Sequence, residues 1–156
     1  EASKEILERL LSLMGLDASV EIQTQPVVET GQDESTSLTM NVRGEDLGIL
    51  IGRRGQTLAS LQYLVRIITG HQTKAWSRVV VDVEGYKRRR YRSLKTFALN
   101  TAEHVKARGA SFTLEPMPAY ERRIVHLALA DHPDVVTESY GLGENRRVVI
   151  LLKDDE

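Results

Sequence analysis

The sequence predicts an α+β protein built from two small domains. Apolar residues recur at three- and four-residue steps in some stretches, as in helices, and at two-residue steps in others, as in strands. A glutamate–glycine pair at 84–85 separates two such mixed blocks, and 156 residues suffice for two small cores. We therefore predict domains over residues 1–85 and 86–156.

The first block is predicted to run α-β-β-α-α-β, with three strands forming one sheet and the helices packed on one face. Its first helix is predicted to start with Ser3 as the cap and to end at Gly15. Two alternating stretches and one β-branched stretch predict the strands, at residues 18–23, 36–43 and 78–83. The polar stretches between these elements predict loops at 25–35 and 71–77.

A glycine-rich turn separates the second and third helices of this block. Residues 48–69 read GILIGRRGQTLASLQYLVRIIT, and the tetrapeptide Gly52–Gly55 divides a short apolar helix from a longer one. Glycines let the backbone turn tightly and approach a polynucleotide without a Cβ in the way. The N–H groups that open the longer helix, near Gln56, would point at phosphate oxygens. The tetrapeptide alone fits a plain turn equally well. A plain turn, however, does not require two adjacent exposed cations such as Arg53 and Arg54.

A turn of this kind can clamp about four nucleotides of a single strand, so we predict such a clamp here. The groove beside it, formed by Ile49, Leu50 and the strand at 36–43, is predicted to receive bases.

Positive charge is concentrated in one segment, although the net charge of the chain is −1. Residues 86–108 carry eight Lys and Arg against one glutamate, and they are predicted to form one helix. Cations crowd the start of this helix, where the macrodipole disfavours them by up to about 1 kcal/mol each, so an anionic partner would explain the arrangement. Arg88 and Arg92 would share a face, and Tyr86 and Tyr91 offer rings for base stacking, although Tyr91 fits the buried stripe of the helix better. The alternative is an ordinary solvated helix face.

In the second block, an arginine and a histidine lie four residues apart on a predicted helix that follows Pro118. Arg122 and His126 would lie on one face, where they can grip the same phosphate or sugar, and Arg123 lies beside them. The bare pattern also suits an ordinary surface helix. A histidine beside a phosphate can gain charge near neutral pH, so some pH dependence is expected.

The remaining patterns argue against an enzyme. The chain has no cysteine, its four histidines lack metal-binding spacing, and no nucleotide-binding loop or nucleophile elbow is present. No cofactor or metal is expected. No apolar run reaches the length of a membrane span and no signal-peptide pattern occurs, so we expect a cytoplasmic protein without membrane insertion. Because the chain begins at Glu1, we expect an upstream portion to be missing.

Four stretches resemble the Jag family of bacterial proteins, also called SpoIIIJ-associated or EloR proteins. They are IGRRGQTLASLQYL (51–64), VVVDVEGYKRRR (79–90), LEPMPAYERRIVHLAL (114–129) and ESYGLGENRRVVI (138–150). The resemblance implies a KH domain of type II topology followed by an R-three-H domain, in which helices pack on a small three-stranded sheet. It also implies RNA binding, a link to cell envelope growth, and a smaller KH-domain protein or a second copy as partner. The family's further N-terminal domain is expected to be absent from this chain.

These observations together predict a non-catalytic protein that binds single-stranded RNA, with single-stranded DNA left open. The basic helix is expected to bridge the two domains. The residues predicted to contact the nucleic acid are Gly52, Arg53, Arg54, Gly55, Gln56, Arg88, Arg92, Arg122, Arg123 and His126. The alternative is an adaptor of the cell envelope machinery whose KH domain mainly binds partner proteins.

Overall fold

The computed structural model of the chain describes residues 1–23, 38–76 and 78–154. The chain divides into two units, Glu1–Arg88 and Arg89–Glu156. The predicted loop at 25–35 and the first two residues of the second predicted strand lie outside the described residues.

The first unit has the predicted order α-β-β-α-α-β. Its elements are α1 (Ala2–Leu13), β1 (Ala18–Gln23), β2 (Leu38–Gly44), α2 (Gly48–Ile51), α3 (Gln56–Thr73) and β3 (Val79–Val83). The sheet has the order β1-β2-β3, in which β2 pairs antiparallel with β1 and parallel with β3. The core lies between this sheet and helices α1 and α3, and it includes Leu7, Leu11, Met40, Leu58 and Val65.

Two details of this unit differ from the sequence prediction. Ser3 does not cap α1: the N-cap is Glu1, and Ser3 is buried inside the helix, where its hydroxyl accepts a hydrogen bond from Thr69 Oγ1 at 3.2 Å. Helix α3 continues through the start of the predicted loop and ends at Thr73, because Lys74 has a left-handed backbone conformation that terminates the helix.

The second unit consists of two helices and a three-stranded sheet, as predicted. Its elements are α4 (Tyr86–Arg108), β4 (Phe112–Thr113), α5 (Ala119–Leu129), β5 (Val135–Tyr140) and β6 (Arg147–Leu152). The division between the units falls within α4, and the predicted domain boundary at residue 85 is the residue before that helix. The sheet has the order β4-β6-β5 and is antiparallel throughout.

The core of the second unit is formed by one face of each helix and alternating strand residues. It includes Ala98 and Ala102 of α4, Val125 of α5, and Val148 and Ile150 of β6. The buried residues of α4 are Leu94, Ala98, Thr101, Ala102 and Val105. Tyr91, which the sequence placed in this stripe, is half-buried. Among the helices that the structure describes, none is long and apolar enough to cross a membrane.

Candidate nucleic-acid interface

The glycine turn between α2 and α3 has a backbone that depends on its two glycines. Gly52 has φ 69° and ψ −171°, a region that only glycine enters readily, and a Cβ there would overlap the Thr57 hydroxyl. Gly55 is left-handed with φ 75°, and a Cβ there would lie 3.0 Å from the Tyr86 ring. Arg54, between them, also has a positive φ of 55°. The turn is therefore a specific backbone conformation, as the sequence predicted for a tight approach to a ligand.

The turn presents a cation next to a helix start. Arg53 is exposed, and residues 53–55 form one turn of 3₁₀-helix that leads directly into α3 at Gln56. Gln56 is exposed and its backbone N–H donates to Arg53 O. Within the described chain, no side chain caps α3. The positive end of the helix dipole therefore lies beside the turn and suits an anion.

Only part of the predicted groove beside the turn is accessible to a ligand. Ile49 is 67% exposed and can contact a ligand, but Leu50 is fully buried in the core of the first unit. The prediction for Leu50 is wrong. In the single-turn helix α2, the side chain of Ile49 is exposed to solvent, whereas that of the next residue, Leu50, is buried in the core. On β2, the side chains from Thr39 to Val42 are also buried, since β2 is the central strand of the sheet.

At the start of α4, Lys87 belongs to the fold of the first unit and is not a solvated cation. Its Nζ donates to Gln62 Oε1 at 2.7 Å, and its backbone N–H donates to Asp82 Oδ1 at 3.1 Å. Burial lowers the pKa of Lys87 to about 8, more than the nearby Asp82 carboxylate raises it. Tyr86 is half-buried against Gly55, so its ring packs on the turn. Asp82 also supplies a carboxylate at the helix start, so part of the positive charge there is balanced within the first unit.

Arg90 has a structural role in the second unit. Its guanidinium makes two hydrogen bonds to Glu121, with Nε 2.9 Å from Oε1 and Nη2 3.1 Å from Oε2. Glu121 is fully buried in the first turn of α5. By contrast, Arg88 and Arg92 are exposed, as the predicted phosphate contacts need to be.

Helix α5 places Arg122 and His126 one turn apart in the second unit. Arg122 is half-buried, and its Nε donates to the Met117 carbonyl at 3.2 Å, whereas Arg123 is exposed. Both ring nitrogens of His126 are engaged: Nδ1 lies 2.6 Å from Thr137 Oγ1 and Nε2 lies 2.8 Å from Ser139 Oγ. Two hydroxyls of β5 therefore fix the orientation of the imidazole.

A further cation that sequence reasoning missed lies near this histidine. Burial lowers the pKa of His126, and the charges of Arg122 and of Arg146, which precedes β6, act in the same direction. These influences favour the neutral imidazole in the unliganded protein. The expectation of a charged histidine holds only if a bound anion reverses this shift.

The sequence held only a weak signal for these partners of His126. Thr137 and Ser139 alternate along a strand, so they share one face, but nothing in the pattern showed which helix that face meets. Within the described residues, no group of three His, Cys, Asp or Glu side chains could hold a metal ion.

Comparison with known proteins identifies both units. Residues 4–83 match the family model described as KhpA/KhpB, KH domain. The chain belongs to the KhpA/KhpB family. Residues 92–152 match the R-three-H domain, so the two domains follow each other in the order that the resemblance to the Jag family implied, and that resemblance is confirmed.

Several curated relatives in this family carry the same name. The chain is 42% identical over 149 residues to the RNA-binding protein KhpB of Clostridium symbiosum, which covers 96% of this chain and 64% of that protein. It is 36% identical over 126 residues to KhpB of Bacillus subtilis, covering 80% of this chain and 61% of that protein. It is 37% identical over 115 residues to KhpB of Lactiplantibacillus plantarum, covering 74% of this chain and 36% of that protein. The chain thus spans between about a third and two thirds of the length of these relatives.

Proposed function

We propose that this chain binds single-stranded RNA without catalysing a reaction, using one site in each unit. The observation that carries the proposal is the Gly52–Gly55 turn, whose backbone requires glycine at both ends. This turn places an exposed arginine next to a helix start that no side chain caps. The relatives named RNA-binding proteins support RNA as the ligand.

In the first unit, the backbone of the turn is proposed to hold the sugar–phosphate chain. Phosphate oxygens would accept hydrogen bonds from backbone N–H groups in the first turn of α3 beyond Gln56, whose own N–H donates to Arg53 O, and Arg53 would add charge. The exposed Ile49 would pack against a base, and such a groove accommodates about four nucleotides. Arg54 and Gln56 are proposed to contact the same stretch.

In the second unit, α5 is proposed to contact a different part of the same strand. Arg122 and Arg146 carry fixed positive charge beside His126, and Arg123 is exposed on the same helix. A phosphate bound there would be attracted by both guanidinium groups. Arg88 and Arg92 are proposed to add further phosphate contacts.

The proposed place of action is the cytoplasm, where single-stranded RNA occurs. A smaller KH-domain protein or a second copy of the chain is proposed as a protein partner, on the basis of the family.

The KH site is tested by reversing one charge at the tip of the turn. Arg53→Asp places a carboxylate where phosphates must approach, so we expect RNA affinity to fall about tenfold or more at low salt. Arg9→Asp is the matched control, because Arg9 is also exposed in the first unit and lies on α1. Affinity is measured by fluorescence anisotropy, and melting curves check that both variants fold. Equal affinity of Arg53→Asp and wild type would show that the turn does not bind RNA.

The second site is tested with oligonucleotides of two lengths. Arg122→Ala should weaken binding of a long RNA that fills both sites, but hardly change the affinity for a roughly four-nucleotide RNA that fills only the KH groove. Arg108→Ala, an exposed residue at the end of α4, is the control. Equal losses for both lengths would mean that Arg122 only supports the fold. Parallel titrations with DNA of the same sequence decide between RNA and DNA.

A further inference from the structure

The imidazole of His126 lies between two hydroxyl groups of β5. Its Nδ1 is 2.6 Å from Thr137 Oγ1 and its Nε2 is 2.8 Å from Ser139 Oγ, so both contacts are within hydrogen-bond range. All three side chains are half-buried, so a ligand can reach them. Within the described part of the chain, neither hydroxyl has a second hydrogen-bond partner. The remaining hydrogen-bonding capacity of the two hydroxyls is therefore available to a ligand.

The charge of the ring decides how many hydroxyl protons are available. A neutral imidazole carries one N–H, so it donates to one hydroxyl and accepts the proton of the other. A charged imidazole carries two N–H groups and donates to both hydroxyls. A hydroxyl that accepts from the ring keeps its own proton for another acceptor. The neutral ring therefore leaves one hydroxyl proton for a ligand, and the charged ring leaves two.

The charges around the ring suit an anionic ligand. Burial lowers the pKa of His126, and Arg122 on α5 and Arg146 before β6 act in the same direction, which favours the neutral ring. Helix α5 packs against β5 and β6, whose charged residues are Glu138 and Arg147. Both lie on the opposite face of the sheet, because they alternate with the residues that face α5. An anion at the hydroxyls would thus lie near two guanidinium groups and away from the carboxylate of β5.

We propose that Thr137 and Ser139 are phosphate contacts of the second site, and that His126 is a positioning residue whose uptake of a proton directs the second hydroxyl proton to the RNA backbone. The inference rests on the proposed function and adds how the second site holds its ligand. Serine and threonine hydroxyls commonly donate to phosphate oxygens in complexes with nucleic acids. Because the hydroxyls lie at different nitrogens of the ring, they would donate to two separate oxygens of the strand.

A bound phosphate makes the proton uptake favourable. Hydrogen bonds to a charged oxygen are stronger than those to a neutral group, so the second hydroxyl bond offsets the free energy of charging the ring. Proton uptake and RNA binding should therefore strengthen each other. This coupling needs both hydroxyls, since a neutral ring that has only one hydroxyl partner can donate to it and leave its proton for the phosphate.

The test measures the affinity for RNA as a function of pH. Fluorescence anisotropy gives the affinity of wild type, Thr137→Val and Ser139→Ala for an oligouridylate of about 12 nucleotides, long enough to fill both sites, between about pH 7.5 and 5. Each variant lacks one hydroxyl, so at the lowest pH it should bind about tenfold more weakly than wild type. Its affinity should also change less with pH than that of wild type. Thr137→Ser keeps the hydroxyl and should behave as wild type.

Two controls separate a phosphate contact from mere orientation of the ring. Thr113→Val removes the hydroxyl of an exposed threonine of β4 in the same sheet and should change neither the affinity nor its pH dependence. In His126→Ala the ring is absent, so adding Ser139→Ala should still weaken binding if the hydroxyl itself contacts the RNA. Melting curves check that each variant folds. If His126→Ala does not fold, the pH profiles of the two single variants decide alone.

Four results would overturn the inference. If Thr137→Val and Ser139→Ala bind as wild type does while Arg122→Ala binds more weakly, the second site binds RNA without these hydroxyls. If both bind more weakly with an unchanged pH dependence, proton uptake does not direct the hydroxyls. If Ser139→Ala has no effect once His126 is alanine, the hydroxyl only orients the ring. If wild type does not bind the oligouridylate at any pH, the proposed function fails together with this inference.

Discussion

Lys87 provides a test of the fold of the first unit that does not depend on any ligand. Its ammonium group is buried beside α3, where Gln62 Oε1 accepts its hydrogen bond at 2.7 Å. Burial lowers its pKa from 10.5 to about 8, and the charge of Arg66 acts in the same direction, against that of Asp82. Holding this charge in the folded chain therefore costs free energy.

The magnitude and the pH range of this cost follow from the two pKa values. A fall from 10.5 to about 8 corresponds to about 3 kcal/mol, and this is an upper estimate. Below pH 8 both the folded and the unfolded chain carry the proton, so the full cost is present. Between pH 8 and 10.5 the unfolded chain binds more protons than the folded chain, so stability rises with pH. Above 10.5 the cost is gone.

Substitution of Lys87 by Met should remove this pH dependence. At pH 7 the variant loses a cost of about 3 kcal/mol and a hydrogen bond worth about 1 kcal/mol, so we expect it to be about 2 kcal/mol more stable than wild type. Lys74→Met is the matched control, because Lys74 is exposed in the same unit. Urea unfolding at several pH values from 7 to 10.5 gives the free energy of unfolding for each protein. Parallel curves for the two variants would refute the assignment of Lys87 as a buried cation.

Three further predictions concern the glycine turn, the Arg90–Glu121 pair and His126. Gly52→Ala should destabilise the protein by about 2 kcal/mol or more, since its Cβ has no room and its φ is positive, whereas Gly48→Ala, where nothing lies within 4 Å, should be nearly neutral in thermal unfolding. Arg90→Ala should cost about 3–5 kcal/mol by leaving Glu121 buried and unpaired, and an equal stability of both proteins in urea would contradict this. Binding of a long RNA should strengthen as the pH falls from 7 toward 5, because an adjacent phosphate favours the protonated form of His126, and His126→Gln should abolish that trend in anisotropy titrations.

The order of elements was predictable because it depends on local patterns. Apolar spacing located the long helices α3 and α4, and the Gly52–Gly55 tetrapeptide located the turn. Neighbouring residues determine backbone geometry over such short distances. Helix α4 was predicted with the bounds that the structure has, Tyr86–Arg108, because a glycine commonly ends a helix. In the structure Gly109 has the left-handed backbone conformation typical of such an end.

Side-chain partners distant in the sequence were not predictable from those patterns. Lys87 and Arg90 looked like two more cations in a basic run, yet one donates to Gln62, 25 residues away, and the other to Glu121, 31 residues away. A charge run fixes the number of cations but not which of them the fold uses internally. The same limit hid Arg146 from the prediction of the second site, since only the hairpin brings it near His126.

The two candidate sites present cations to a ligand by different physical means, and this difference can be tested without changing any charge. The first depends on backbone geometry, so a glycine substitution should impair it even when both arginines remain. The second depends on side chains fixed by hydroxyls, since Thr137 and Ser139 hold the ring of His126 at 2.6 and 2.8 Å. Thr137→Val keeps the shape of the side chain and removes only one of these contacts. If the orientation of the imidazole matters to binding, this variant binds a long RNA more weakly than wild type does. Its affinity for a four-nucleotide RNA is unchanged, and every positive charge of the site is still present.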